Sequence, residues 1–152
     1  MTRKPRAYVF VLWGDGFDEM VATAFVTELR EAGLLVKVVG LTPPQISGAR
    51  GLALMPDLTL GQALPLASQT IALIIPVAAR WSDQLYNDPR LGKFFEQAHS
   101  NQAKFIIGSW PETEQAGLDL PPSAKARIVV YPEAKDVVKF ARELAKLLSR
   151  QA

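Results

Sequence analysis

The sequence predicts an α/β protein with a mostly parallel central sheet, and three observations carry that prediction. Short apolar, β-branched runs recur without the polar alternation expected of a strand with one wet face. Amphipathic helical stretches lie between them, so strand and helix alternate. The length, 152 residues, suits one such domain over 1–152, with residues 1–6 expected as a basic, flexible tail.

The predicted strands are Tyr8–Leu12, Leu35–Val39, Ile71–Ile75, Phe105–Ile107 and Arg127–Tyr131. The first helix runs from Asp18 to Ala32, with Met20, Ala24, Phe25 and Leu29 near helical spacing and Gly33 as its stop. A second opens at Asp88-Pro89, a capping residue followed by a first-turn proline, and carries Leu91, Phe94, Phe95 and Ala98 on one face. Ser109-Trp110-Pro111-Glu112 has capping-box spacing and predicts a short helix. The last helix is amphipathic through Val137, Phe140, Ala141, Leu144, Leu147 and Leu148. Only Ile46 to Leu54 breaks the alternation; it reads as a hairpin or a bent pair of short strands, with Gly48 and Gly51 as turn positions. Pro121-Pro122-Ser123 reads as a loop.

Composition removes several function classes. There is no cysteine, hence no disulfide, thiolate metal site or cysteine nucleophile. One histidine, His99, excludes a multi-histidine metal site. With 17 Lys+Arg against 15 Asp+Glu, the net charge of +2 gives no electrostatic case for nucleic acid. No run reaches the roughly 20 apolar residues of a membrane span, and a cytoplasmic protein is expected.

The candidate site residues gather where strands end. Ligand crevices in parallel α/β sheets open outside the carboxyl ends of strands. Trp13, Trp81 and Trp110 are all expected there, either lining a pocket for a planar or cationic ligand or filling a crevice no longer used, and Tyr131 ends the last strand. Asp15, Asp18 and Glu19 form an acidic group after the first strand; it could hold a cation or supply a base, or simply favour a helix N-terminus. Arg80 could grip a carboxylate or phosphate, or pair on the surface. Ser109 is the one hydroxyl nucleophile at its strand end, with helix capping as the simpler role. His99 is expected at the opposite edge, so a Ser-His pair is not. Lys135, Lys139, Arg142, Lys146 and Arg150 share one face of the last helix, a solvated face or a surface for an acidic partner.

Several ordered motifs resemble the ThiJ/PfpI superfamily, within the class I glutamine amidotransferase-like fold. They are Gly16-Phe17-Asp18-Glu19-Met20 after the first strand, Leu29-Arg30-Glu31-Ala32-Gly33 before a Val-rich strand, Gly48-Ala49-Arg50-Gly51-Leu52 through Met55-Pro56-Asp57, and Ile74-Ile75-Pro76 followed by Arg80-Trp81. The resemblance implies a flavodoxin-like three-layer sandwich, shortened relative to typical members, and a homodimer. It also implies a catalytic cysteine and glutamate, and here the sequence departs from it. The glutamate position falls on Val21, which cannot move a proton. The cysteine position falls on Gly108 or Ser109, and the family's Pro-Gly-Gly is Pro76-Val77-Ala78.

The expected function is therefore that of a degenerate, non-catalytic domain, stress-related or regulatory, acting by binding a small molecule or a protein. The alternative is a hydrolase or lyase with chemistry relocated to Ser109 or Glu19. The ligand-binding candidates are Trp13, Asp15, Glu19, Val77, Arg80, Trp81, Ser109 and Trp110. No cofactor, metal, nucleic acid or membrane is expected as a partner. A fold likeness does not by itself transfer the family's protease, glyoxalase or deglycase activities.

Overall fold

The computed structural model describes residues 6–41, 47–77, 88–109 and 126–151. Six strands form one sheet: β1 (Tyr8–Trp13), β2 (Leu35–Gly40), β3 (Leu58–Thr59), β4 (Thr70–Ile75), β5 (Lys104–Ile107) and β6 (Ile128–Val130). Their order is β3-β2-β1-β4-β5-β6 and every pairing is parallel. Four helices complete the elements: α1 (Glu19–Glu31), α2 (Leu60–Ala63), α3 (Pro89–Ser100) and α4 (Ala134–Ser149), with a 3-10 segment at Leu64–Gln69. Helix α1 packs on α4, while α3 packs on α2 and the 3-10 segment. These two groups are the outer layers of a flavodoxin-like sandwich around the sheet.

Layering explains the unbroken apolar runs. Every residue of β1 is buried, because β1 has strands on both sides and helices over both faces. Phe10 lies at this centre, with its ring edge-on to Phe94 of α3 at 5.5 Å and stacked on Tyr8 at 5.2 Å. Exposure rises toward the edges: no residue of β6 or β3 is fully buried.

The helix boundaries follow their local chemistry. The Asp18 side chain accepts the Val21 N–H at 3.2 Å and caps α1. Gly33, at φ +85°, takes the left-handed turn that ends it. The Asp88 side chain accepts the Arg90 N–H at 3.0 Å and caps α3, with Pro89 in the first turn. The predicted hairpin is present as an antiparallel bridge between Ser47 and Ala53.

β3, α2 and the 3-10 segment were not among the predicted elements. A two-residue strand gives no periodic signal. The capping box of α2 was legible, since Thr59 and Gln62 exchange side-chain and backbone hydrogen bonds at 3.0 and 3.1 Å. Tyr131 lies just past β6, although its N–H still bonds Ile107 O at 2.9 Å. The short helix predicted from Ser109, the loop at 121–123 and residues 1–5 of the predicted tail fall outside the described residues, Ser109 itself excepted.

Asp57 starts the pairing of β2 with β3. Its N–H donates to Val38 O at 2.9 Å, and its carboxylate accepts the Val38 N–H at 2.8 Å. Arg30, reaching from α1, bonds the same carboxylate oxygen at 2.8 Å and Val36 O at 3.0 Å. The ion pair is half exposed and worth at most about 1 kcal/mol, so the hydrogen bond to the buried Val38 N–H matters more. Asp57→Ala should therefore cost about 1–3 kcal/mol in urea unfolding, and Asp57→Asn clearly less, because the amide oxygen still accepts from Val38.

Candidate functional site

The strand order reverses between β1 and β4, which places the fold's natural crevice outside their carboxyl ends. Four segments meet there: Gly14–Asp18 after β1, Pro76-Val77 after β4, Gly108-Ser109 after β5 and Tyr131 after β6. The Asp18 N–H donates to Pro76 O at 2.8 Å and ties the start of α1 to the end of β4.

The crevice positions are occupied by apolar and aromatic groups. Trp13 is fully buried, with its ring edge-on to Phe17 at 6.3 Å. Val21 is buried on the first turn of α1. Val77 is buried, and its N–H donates back to Ile75 O at 2.9 Å. Gly108 is buried and Ser109 exposed. Arg80, Trp81 and Trp110 lie outside the described residues.

Tyr131 joins these segments. Its backbone pairs beside Gly108, its ring meets Phe25 of α1 edge-on at 6.0 Å, and its hydroxyl donates to Val77 O at 3.3 Å. The side chain thus runs from the end of β6, across the end of β5, to the end of β4. The 3.3 Å bond is long for a hydroxyl donor, so burial of the ring is the larger contribution. Burial, then the negative charge of Asp18, pushes the phenol well above its ordinary range. It is a neutral donor at any ordinary pH. The sequence placed Tyr131 at this edge but not in the site; its reach over two strand ends has no local signature.

The three acids have separate fates. Asp15 is exposed. Asp18 caps α1 and accepts from Arg50 Nη1 at 3.2 Å. Glu19 is buried, and its Oε2 accepts the N–H groups of Arg50 at 2.8 Å and Leu52 at 3.1 Å. Burial by itself would raise its pKa. The N–H groups of Glu19 itself, Leu52 and Arg50, with the Arg50 charge, outweigh that and hold the carboxyl below its ordinary range. A carboxylate so held is a poor proton acceptor near neutral pH. Among the described residues no group of three or more acidic or histidine side chains could hold a metal ion. Instead, a guanidinium 31 residues away supplies the positive charge.

His99 lies in the last turn of α3, before β5, and Ser109 follows β5 at the far end. The fold keeps them apart, as the sequence predicts. The basic stripe on α4 is exposed, with Arg142 bound to Glu28 of α1 at 2.9 Å.

Gly51, at φ +85°, is a turn position as predicted. Gly48 is not in the left-handed region, and its reason is space. A Cβ there would lie within 3 Å of Glu19 Cγ, Cδ and Oε1. Gly48→Ala should cost about 1–3 kcal/mol by overpacking. In a Glu19→Ala background the same change should cost much less. Chemical denaturation of the four-variant cycle measures this coupling.

Comparison with known proteins follows this geometry. The sequence profile of the DJ-1/PfpI family matches residues 6–108. No curated protein matches the chain. Among solved structures, oxidised DJ-1 of Toxoplasma gondii superposes with a TM-score of 0.72 at 16% identity, covering 95% of this chain and 97% of that one. DJ-1beta of Drosophila melanogaster gives 0.72 at 18%, covering 94% and 90%. A ThiJ/PfpI domain protein of Brachyspira murdochii gives 0.70 at 15%, covering 95% and 98%. These likenesses show the shared fold, and the profile match shows the lineage: the chain belongs to the DJ-1/PfpI family.

Proposed function

We propose that this chain is a non-catalytic member of its family that acts by binding, with a second copy of itself as the first partner. The observation that carries the non-catalytic reading is Tyr131. Its ring packs on Phe25 of α1, the helix that carries Val21, its backbone pairs with the end of β5, which leads into Gly108 and Ser109, and its hydroxyl reaches Val77 O; the resemblance expects glutamate at Val21 and cysteine at Gly108 or Ser109. The side chain of Val21 cannot donate, accept or attack, nor can Gly108, which has none; of the two cysteine positions only Ser109 carries a hydroxyl. The Val77 N–H, a potential oxyanion donor, is already bonded to Ile75 O.

The partner reading rests on exposed apolar side chains beside Glu19. Met20 follows Glu19 on α1 and is 52% exposed; Leu52, whose N–H Glu19 holds, is 51% exposed; Met55 is 92% exposed. Met20 and Leu52 adjoin the same carboxylate, Met55 is a further exposed apolar residue three positions along the chain from Leu52, and the resemblance to a commonly dimeric family favours a copy of the chain as occupant. A stress-related or regulatory role fits a binding domain, as does a single-domain chain in the cytoplasm. Among the described residues no helix is long and apolar enough to cross a membrane.

The competing reading is a hydrolase or lyase using Ser109, favoured by that residue's exposure at the carboxyl edge. Two experiments decide. Ester, thioester and aldehyde substrates should give no turnover that Ser109→Ala abolishes; a rate lost in that variant with the fold intact overturns the non-catalytic reading. Met20→Glu with Leu52→Glu should convert a dimer to a monomer in sedimentation equilibrium, and a wild type that is monomeric at high concentration overturns the pairing.

The packing role of Tyr131 has its own signature. Tyr131→Phe should cost no more than about 1 kcal/mol, and Tyr131→Ala about 3–5 kcal/mol, in urea unfolding.

A further inference from the structure

The segment Ser47–Ala53 is fastened over the start of α1 by few bonds. Gly16 N–H donates to Ser47 O at 3.0 Å and Ala49 N–H to Phe17 O at 2.8 Å. Its other attachments are to side chains: Arg50 and Leu52 N–H on Glu19 Oε2, and Arg50 Nη1 on Asp18 Oδ1 at 3.2 Å. Glu19 Oε1 is buried and makes no hydrogen bond, lying 3.8 Å from Arg50 Nη1. Glu19 thus holds the turn as an ion. Protonating it would weaken both N–H bonds and leave the Arg50 guanidinium to Asp18 alone.

We propose that the 47–53 hairpin is an acid-releasable strap, held on the start of α1 by the ionised Glu19 carboxylate and opening locally, ahead of the sheet, when that carboxylate gains a proton. The charged groups facing Glu19 are Arg50 from the strap and Asp18 from its own turn, the latter bound to the same guanidinium and facing Tyr131 on its other side. Tyr131 stays neutral on acidification, and the proton the strap answers to is the one taken by Glu19.

The sign follows from the lowered carboxyl. A group more acidic folded than free stabilises the closed form above its free pKa, and that contribution fades as pH falls through the folded value. The window therefore opens near the free glutamate pKa of about 4.3 and extends below it, through the lowered folded value. Leu52 rides on the strap, so release would also displace part of the pairing face. That consequence rests on the pairing reading; the opening itself does not.

Amide hydrogen exchange by NMR on the full chain, corrected for intrinsic rates, tests it. Between pH 6 and pH 3 the Arg50 and Leu52 amides should lose protection at least about fivefold, while Val9 and Val11 of β1 keep theirs. Glu19→Gln, which keeps an acceptor but not the charge, should have a less protected strap with no pH dependence. Asp18→Asn should retain most of the dependence. The proposal is overturned if strap and β1 amides lose protection together, or if Glu19→Gln shows the wild-type profile. Should Glu19→Gln not fold, the wild-type contrast between strap and β1 amides decides alone. Sedimentation across the same pH range reports the pairing separately: a monomer throughout removes the pairing reading, and a dimer whose mass does not change while the strap opens removes the link between strap and pairing, the strap proposal standing in both cases.

Discussion

A carboxylate taken out of water must be compensated, and the start of α1 is organised around compensating Glu19. Two backbone N–H groups meet one of its oxygens and the Arg50 guanidinium stands near the other. Those donors come from a loop that must fold close, so Gly48 has no side chain. The loop in turn holds Gly16 and Phe17, and Asp18 beside them ties the end of β1 to Pro76 after β4. One buried charge thereby sets the geometry at the strand-order reversal, where this fold places its crevice.

The same commitment limits chemistry. A base must be free to take a proton near working pH, and Glu19 is held ionised by bonds it would have to surrender. Asp18 is spent on a helix cap and an ion pair. Tyr131 reaches from the end of β6 to Val77 after β4 as a neutral phenol. At the described part of the carboxyl edge, Asp18, Tyr131 and Oε2 of Glu19 are thus each engaged by a neighbouring group.

Exposed apolar surface and buried charge share residues here. Leu52 and Met20 present exposed apolar surface, while the N–H of Leu52 and the neighbour of Met20 form the buried Glu19 contact beneath. A change at Glu19, Gly48 or Arg50 would therefore alter the outer face as well as the fold, and a loss of association in such a variant would not by itself identify a contact residue.

The sequence by itself determined the layered, parallel architecture, because burial of β1 and β4 on both faces demands unbroken apolar runs such as Tyr8–Trp13 and Thr70–Ile75. It also fixed the caps at Asp18 and Asp88, the stop at Gly33 and the separation of His99 from Ser109, all matters of short range or of strand direction. The absence of cysteine and the apolar Val21 were legible as departures from the family pattern. Tertiary structure alone decided the rest. Arg50 meets Asp18 and Glu19 across more than 30 residues of chain. Gly48 reads as a turn residue and proves to be space for a carboxylate. Tyr131 reads as the end of a strand and proves to lie across two others. Periodicity records which way a side chain faces, whereas the partner it meets there depends on the order in which distant strands are laid side by side.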